Sequence, residues 1–259
     1  MAVTNFIQQI WSKKIQDDLE LKCKLVDNCL REYEGDCQYA QSVKILGVGE
    51  PTIGDYTGAD ITIEEMSDKG QVLTIDQAKY FAFYVDDVDK AQSVPGLPEK
   101  YQEKAVHGLA VARDTYVAEL IAAATNKTTV TMDEAGFKKG IDDAIVELRE
   151  RNFDEEGVIE ITPAGYALFK NHLITLSTNN PEYIKKGIVG MYDNMEVIMS
   201  NNLKTPGCVR GKKAIAFVGQ INKVEALRAE KKFCDIIRGL DTFGAKVIDE
   251  NRIQVLTTA

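Results

Sequence analysis

The chain has 259 residues, of which 44% are hydrophobic and 27% charged, and this composition predicts a folded chain with a substantial core and excludes disorder as its dominant state. Its 40 acidic residues outnumber its 31 Lys and Arg residues, giving a formal net charge of -9 at pH 7, which argues against a protein that grips nucleic acid through clustered basic side chains. The sequence has neither an apolar N-terminal signal nor a run of about 20 apolar residues that could cross a bilayer, so we expect a cytoplasmic protein without a membrane partner.

The five cysteines form no recognisable metal or disulfide pattern. Zinc sites use closely spaced Cys or His pairs, and disulfides are typical of exported chains. Neither condition is met, so we interpret all five as reduced structural thiols: Cys23, Cys29, Cys37, Cys208 and Cys234.

Residues 6–30 have apolar side chains at mixed three- and four-residue steps, which predicts an amphipathic helix. Its apolar face packs either on its own domain or, as an arm, on a neighbouring subunit. Residues 43–48 and 72–85 then read as strands, the second long and free of Pro and Gly. The polar segment 49–60 between them is too long for a tight hairpin and predicts a long excursion.

Three helices follow along the chain. Pro98 fits the first position of a helix to about Ala124, roughly 40 Å long. The spacing of Thr131 and Glu134 predicts a capping box for a second helix ending near residue 151. After a short strand at 158–161, Thr162 and Pro163 predict the cap and first position of a third helix.

The C-terminal third predicts strands at 195–199 and 214–218, separated by a turn-rich segment. Residues 245–248 and 252–256 predict a closing hairpin. The whole sequence therefore indicates an α+β chain, without an internal repeat.

No constellation for catalysis or cofactor binding stands out. The two histidines, His107 and His172, lie near no nucleophile motif, and the glycines match no phosphate-binding loop. The best metal candidates are the carboxylates of Asp86, Asp87 and Asp89, because hard cations favour several carboxylates, but their spacing matches no calcium loop. We interpret them as a solvated strand end or an intersubunit salt bridge, and assign no catalytic, cofactor or metal residue.

Several segments in order resemble the tailed-phage major capsid family. They are residues 3–11 (VTNFIQQIW), the strand 75–81 (IDQAKYF), the long helix after Pro98, and residues 220–228 and 238–247 near the C-terminus. No one of these motifs is specific by itself, and the resemblance lies in their order over nearly the whole chain.

The resemblance implies an α+β, Hong Kong 97-like capsid fold with five parts. These are an N-terminal arm (1–41), an extended β-hairpin loop and its strands (42–90), a peripheral domain with a long spine helix (91–156), an axial domain (157–213), and a return to the peripheral domain (214–259). An arm and an arching loop have little core of their own, so they need surface from other copies.

The same resemblance implies a major capsid protein that self-assembles into hexamers and pentamers and closes an icosahedral shell around double-stranded DNA. The implied partners are a separate scaffolding protein, a portal, decoration proteins, and DNA held by weak non-specific contact. The shell would assemble in the bacterial host cytoplasm and remain as the virion capsid.

Three alternatives stay open from the sequence. An encapsulin-like nanocompartment of the same fold would enclose protein cargo, and a tail or adaptor component would form rings without closing a shell. A metal-dependent enzyme would use Asp86, Asp87 and Asp89.

Overall fold

The computed structural model describes residues 23–33, 42–45, 70–86, 97–176, 190–229 and 234–258. Within these residues the α-helices are α1 (Leu97–Ala123), α2 (Glu134–Glu150) and α3 (Pro163–Leu176). Its strands are β1 (Ser42–Ile45), β2 (Gln71–Thr74), β3 (Gln77–Asp86), β4 (Lys127–Val130), β5 (Gly157–Ile161), β6 (Met191–Tyr192), β7 (Met195–Met199), β8 (Gly207–Gly211), β9 (Ile215–Arg228), β10 (Cys234–Val247) and β11 (Ile253–Thr258).

A three-stranded antiparallel sheet has the order β3-β10-β9. The long helix α1 packs on one of its faces and buries side chains at three- and four-residue steps, including Val106, Leu109, Val117 and Ile121. This face buries Phe217 and Phe243 completely. The predicted spine-like helix is thus confirmed, with Pro98 in its first turn, and at about 1.5 Å per residue it is roughly 40 Å long.

A six-stranded mixed sheet has the order β4-β11-β8-β5-β7-β6. The pairs β5–β7 and β11–β4 are parallel, whereas the other pairs are antiparallel. Helix α2 covers this sheet and buries Phe137, Ile141 and Leu148, and Phe169 of α3 joins the same core. Every residue of β5 is buried, as expected for a central strand covered on both faces.

Strands β1 and β2 form a separate antiparallel pair, with Val43 opposite Leu73. Both side chains are buried against Ala216 and Val218 of β9. The predicted β-hairpin is therefore confirmed where its two strands pair, and the long segment between them lies outside the described residues.

The predicted single strand over 72–85 is wrong, because the chain divides at Ile75 and Asp76. Strand β2 before this point pairs with β1, whereas β3 after it pairs with β10. Asp76 accepts a hydrogen bond from the Tyr116 hydroxyl at 2.9 Å, which ties the division to α1. The polar residues Asp76 and Gln77 stand at the division, but they do not show that the two halves belong to different sheets.

Two predicted termini also need correction. Helix α2 begins after Asp133, whose carboxylate accepts the Gly136 backbone N–H, so Thr131 is not the N-cap of a capping box. The helical pattern that was expected to continue to residue 30 is absent from residues 23–30, which contain only a single turn of 3-10 helix at Val26–Asn28. By contrast, Thr162 accepts the Gly165 N–H as the predicted cap of α3.

The predicted closing hairpin is wrong as well. Residues 245–247 end β10, which pairs with β3 and β9, whereas β11 pairs with β4 and β8 in the other sheet. The chain crosses between sheets through a second 3-10 turn, Glu250–Arg252. Turn residues between two apolar runs mark a reversal, but they do not show that the runs pair with each other.

None of the described helices is long and apolar enough to cross a membrane.

Candidate assembly surface

The face of the three-stranded sheet opposite α1 presents large apolar side chains to solvent. Along β3, Phe81 and Phe83 turn toward α1, where the Phe83 ring lies 5.7 Å from that of Tyr101. The alternating residues Tyr80 and Tyr84 are 80% and 69% exposed. Alternation along a strand places these tyrosines together on the opposite face.

Strand register extends this apolar face across all three strands. Tyr80 lies opposite Leu240, and Tyr84 lies opposite Ile236, which in turn is opposite Leu227. Leu240 and Leu227 are 40% and 41% exposed. We call this surface the outer sheet face; it consists of Tyr80, Ala82, Tyr84, Glu225, Leu227, Ile236, Arg238 and Leu240.

One ion pair lies in the middle of the outer sheet face. The Arg238 Nε donates to Glu225 Oε2 at 2.9 Å, across paired residues of β10 and β9. An open groove of about 480 Å³ lies beside it, between Tyr80 and Leu240. An exposed pair of this kind contributes at most about 1 kcal/mol to folding, so its main effect is to fix two charges within an apolar surface.

The other face of the sheet is held rigidly to α1. The Arg113 guanidinium donates to both carboxylate oxygens of Asp241, and both side chains are buried. Its Cζ lies 5.6 Å from the ring centre of Phe217 and 5.9 Å from that of Phe243. A guanidinium enclosed between aromatic rings and a carboxylate has few alternative positions. The sheet that carries the outer sheet face is therefore held in a fixed position against α1.

The residues considered for metal binding are only partly described. Asp86 is the last residue of β3, and Asp87 and Asp89 lie outside the described residues. Among the residues that the structure does describe, no three His, Cys, Asp or Glu side chains are grouped to hold a metal ion. His107 is exposed on α1, and His172 lies within α3.

The described cysteines are buried free thiols, which agrees with the interpretation as structural thiols: Cys23, Cys29, Cys208 and Cys234. Burial raises the pKa of Cys23 to about 12 and the pKa of Cys29 to about 11. Both therefore stay protonated near neutral pH, where a thiol is a poor nucleophile and a poor metal ligand. Cys37 lies outside the described residues.

Sequence reasoning did not identify the outer sheet face. The signal was present in residues 80–85, where apolar side chains occupy both alternating sets of positions. Such a continuous run is typical of a strand covered on both faces. Here α1 covers one face, and the tyrosines of the other are exposed in the single chain.

No protein-family model matches the sequence, and no curated protein matches it. Solved structures do match. The chain superimposes on a chain of Mycobacterium phage Che8 with a TM-score of 0.77 and 27% identity, covering 90% of each chain. A capsid structure of cyanophage P-SCSP1u matches with a TM-score of 0.69 and 18% identity over 89% of this chain and 86% of that one. A virus-like particle from Pyrococcus furiosus matches with a TM-score of 0.63 and 14% identity over 96% and 99%.

These matches cover 89–96% of this chain, so the chain has the Hong Kong 97-like capsid fold, the fold of shell-forming capsid proteins. Within that class, the resemblance to tailed-phage major capsid proteins is confirmed, because the phage chains match over most of their own length as well as most of this one.

Proposed function

We propose that the chain is a major capsid protein of a tailed bacteriophage, whose copies form hexamers and pentamers and close an icosahedral shell around double-stranded DNA. The observation that carries the proposal is the match to the phage Che8 chain over 90% of both chains at 27% identity. In this role the chain is a structural protein and not an enzyme.

The outer sheet face supplies a physical reason for self-association. Burying a large apolar side chain contributes about 1.5–3 kcal/mol, and tyrosines at the centre of an interface often dominate its energy. Tyr80 and Tyr84 are the most exposed of the large apolar side chains in the described residues. A contact that covers both would favour assembly over the free subunit.

The proposed division of the chain follows the resemblance: residues 1–41 as arm, 42–90 as extended loop and strands, 91–156 and 214–259 as peripheral domain, and 157–213 as axial domain. The β1–β2 pair supports the loop assignment, because residues 46–70 connect its two strands. Helix α1 within 91–156 supports the spine assignment.

The proposed partners are other copies of this chain, a separate scaffolding protein, a portal, decoration proteins and the packaged DNA. The net charge of -9 suits a wall that touches a polyanion weakly and without sequence preference. Assembly would take place in the host cytoplasm, and the finished shell would be the virion capsid.

A nanocompartment that encloses protein cargo is the second candidate. It is favoured by the match to the Pyrococcus furiosus virus-like particle, which covers 99% of that chain. Purified particles that contain a defined protein and no DNA would select this candidate, whereas particles filled with double-stranded DNA during infection would select the first.

The test of shell formation is electron microscopy with light-scattering mass, on the protein alone and co-expressed with its genomic neighbours. We expect closed particles with icosahedral symmetry. The double variant Tyr80→Ser/Tyr84→Ser should remain folded and require at least about tenfold more protein to assemble, since about 1.4 kcal/mol corresponds to a factor of ten. Met132→Ser is the control, because Met132 is 45% exposed but lies outside the sheet.

A strict monomer under all conditions would refute shell formation. An unchanged assembly threshold in the double variant would instead refute the role of the outer sheet face, and would leave the shell proposal to the microscopy.

A further inference from the structure

Residues 23–30 lie across the joint between the two sheets, and we call them the N-terminal strap. In the described part of the chain, three short links cross this joint: 124–126 between α1 and β4, 212–214 between β8 and β9, and 248–252 between β10 and β11. The N-terminal strap is a fourth connection, made entirely by non-covalent contacts. Its residues Leu25 and Val26 are buried in a core that also contains Phe217 and Val255, one from each sheet.

Helix α1 holds the strap through one buried carboxylate. Asp114 is 2% exposed, and its Oδ1 accepts the backbone N–H groups of Leu25 at 3.1 Å and Val26 at 3.3 Å. Its Oδ2 accepts the N–H of Lys24 at 3.0 Å. Three consecutive backbone donors on one carboxylate form a specific clasp between α1 and the strap.

The six-stranded sheet holds the strap through one buried guanidinium. Arg210 of β8 is fully buried and donates to the carbonyl oxygens of Asn28 at 2.7 Å and Leu25 at 2.9 Å. Its remaining donors bind the Glu160 carboxylate of β5 at 3.1 Å and 2.6 Å. Burial opposes the charge on Arg210, but Glu160 outweighs it and raises the pKa of the guanidinium, so it stays charged.

Backbone pairing fixes the end of the strap. Leu30 N donates to Ile215 O at 2.8 Å, and Phe217 N donates to Leu30 O at 3.0 Å, a parallel bridge to β9. The Lys24 side chain donates to Met199 O at 3.2 Å, at the end of β7. The strap therefore bonds to both sheets and to α1 within eight residues.

The strap and its two charged partners depend on each other. Asp114 has one further donor in the described part of the chain, the Asn202 side chain at 3.4 Å. Burial raises the pKa of Asp114, and the three strap amides act in the opposite direction. A rotation of one sheet against the other would pull the strap from Asp114 or from Arg210, and a buried charge that loses its donors or acceptors is strongly unfavourable.

We propose that the N-terminal strap is a brace that sets the angle between the two sheets of the subunit, and that this angle fixes the curvature of the shell. The second step rests on the proposed function, whereas the first concerns the isolated subunit alone. In a closed assembly the same subunit shape is repeated, so a small change of this angle accumulates over neighbours into a different curvature.

The test compares two carboxylates of α1, one that holds the strap and one that does not. Asp114→Asn keeps one acceptor oxygen but replaces the other with an NH2 group, which must face at least one strap N–H. The control Glu119→Gln removes a negative charge from an exposed position of the same helix, where Glu119 pairs with Lys204 and not with the strap. If Asp114→Asn does not fold, Arg210→Lys replaces it, because lysine retains the charge beside Glu160 but lacks the fork that reaches both strap carbonyls.

Three measurements are made on each variant. Hydrogen exchange reports the amides of Lys24, Leu25 and Val26 in isolated subunits. Spin labels are attached at Ala82→Cys on β3 and Val146→Cys on α2, in a chain in which Cys37 is also replaced by Ser. Pulsed electron paramagnetic resonance between the two labels reports the distance between the two sheets. Electron microscopy reports the diameters of assembled particles.

We expect the strap amides to exchange at least about tenfold faster in Asp114→Asn, together with a broader distance distribution and particles of mixed diameter. All three measurements should be close to wild type in Glu119→Gln. Unchanged distances, or equal broadening in Glu119→Gln, would overturn the brace. Uniform particles despite a broad distance distribution would overturn the step to curvature. If the wild-type protein forms no shell, the proposed function fails, and the first two measurements still decide the brace.

Discussion

Gly244 lies where β10 passes closest to the junction between β2 and β3. A Cβ atom at this position would lie 2.2 Å from Thr74 O and 2.9 Å from Ile75 Cα. Non-bonded carbon contacts are normally about 3.5–4.0 Å, so Gly244→Ala requires a displacement on the order of 1 Å. The atoms in the way belong to the backbone and cannot rotate aside.

The expected cost follows from this geometry. Overpacking a core costs typically about 1–3 kcal/mol, and we expect about 3 kcal/mol here because two strands must separate. For a domain of about this size, 1 kcal/mol shifts Tm by about 2–4 °C, so Gly244→Ala should lower Tm by about 6–12 °C. The same displacement pulls Val72 O away from Lys246 Nζ, now 2.9 Å apart.

Gly108→Ala is the matched control, because it is the same substitution with opposite surroundings. Gly108 lies inside α1, and its Cβ would meet nothing within 4 Å. Alanine in a helix interior is favoured over glycine by about 0.5–1 kcal/mol, so Tm should rise by about 1–4 °C. Both variants are measured by scanning calorimetry on isolated subunits at one concentration, since association would itself shift Tm. A Tm of Gly244→Ala at or above wild type would refute the reasoning.

Three further predictions concern buried or capping groups. Cys23 and Cys29 should resist thiol reagents at pH 8 until the chain is unfolded. Burial raises their pKa values from the ordinary 9.0, so the free energy of unfolding should fall as pH rises above about 9. The urea midpoint should therefore be lower at pH 10.5 than at pH 8. Asp133→Ala should speed amide exchange at Gly136. Hydrogen bonds from Thr131 and the Gly136 N–H lower the pKa of Asp133. In the wild type, protection of the Gly136 amide should therefore be present above the ordinary carboxylate pKa and be lost as pH falls through the lowered pKa of Asp133. Asp241→Asn should destabilise the subunit by about 3–5 kcal/mol, measured by urea titration, because it leaves a guanidinium buried without its carboxylate; a change below about 1 kcal/mol would contradict this account.

The elements that the sequence predicted well are those whose signals are local. Helix α1 followed from its apolar spacing and Pro98, and the start of α3 from the adjacent Thr162 and Pro163. Most backbone hydrogen bonds of a helix form within the helix, so capping residues and apolar periodicity determine most of its position and length. The error at α2 is of the same local kind, because Asp133 is a better competitor for the cap than Thr131 two residues earlier.

Strand pairing was the part that local signals could not supply. Strands β9 and β10 are 14 residues each and pair with each other, with β10 at the centre of the three-stranded sheet, yet only 214–218 and 245–248 stood out as strands. Between these ends the strands include Gly219 and Gly239, and alternating charges interrupt the apolar pattern. Residues of this kind are disfavoured in strands, and only the pairing of the two long strands with each other and with β3 compensates for them.

The candidate site was hidden for a related reason. An apolar strand such as β3 carries the same signal whether its second face is covered by its own chain or by another, because composition records burial and not the identity of the covering surface. The structure separates the two cases: Phe81 and Phe83 meet α1, while Tyr80 and Tyr84 remain exposed on a sheet that the Arg113–Asp241 pair holds in place. When another surface covers a rigid apolar face of this kind, the apolar burial lowers the free energy and little conformational entropy is lost in ordering the face. A shell subunit needs this property to remain separate when dilute and to associate when concentrated.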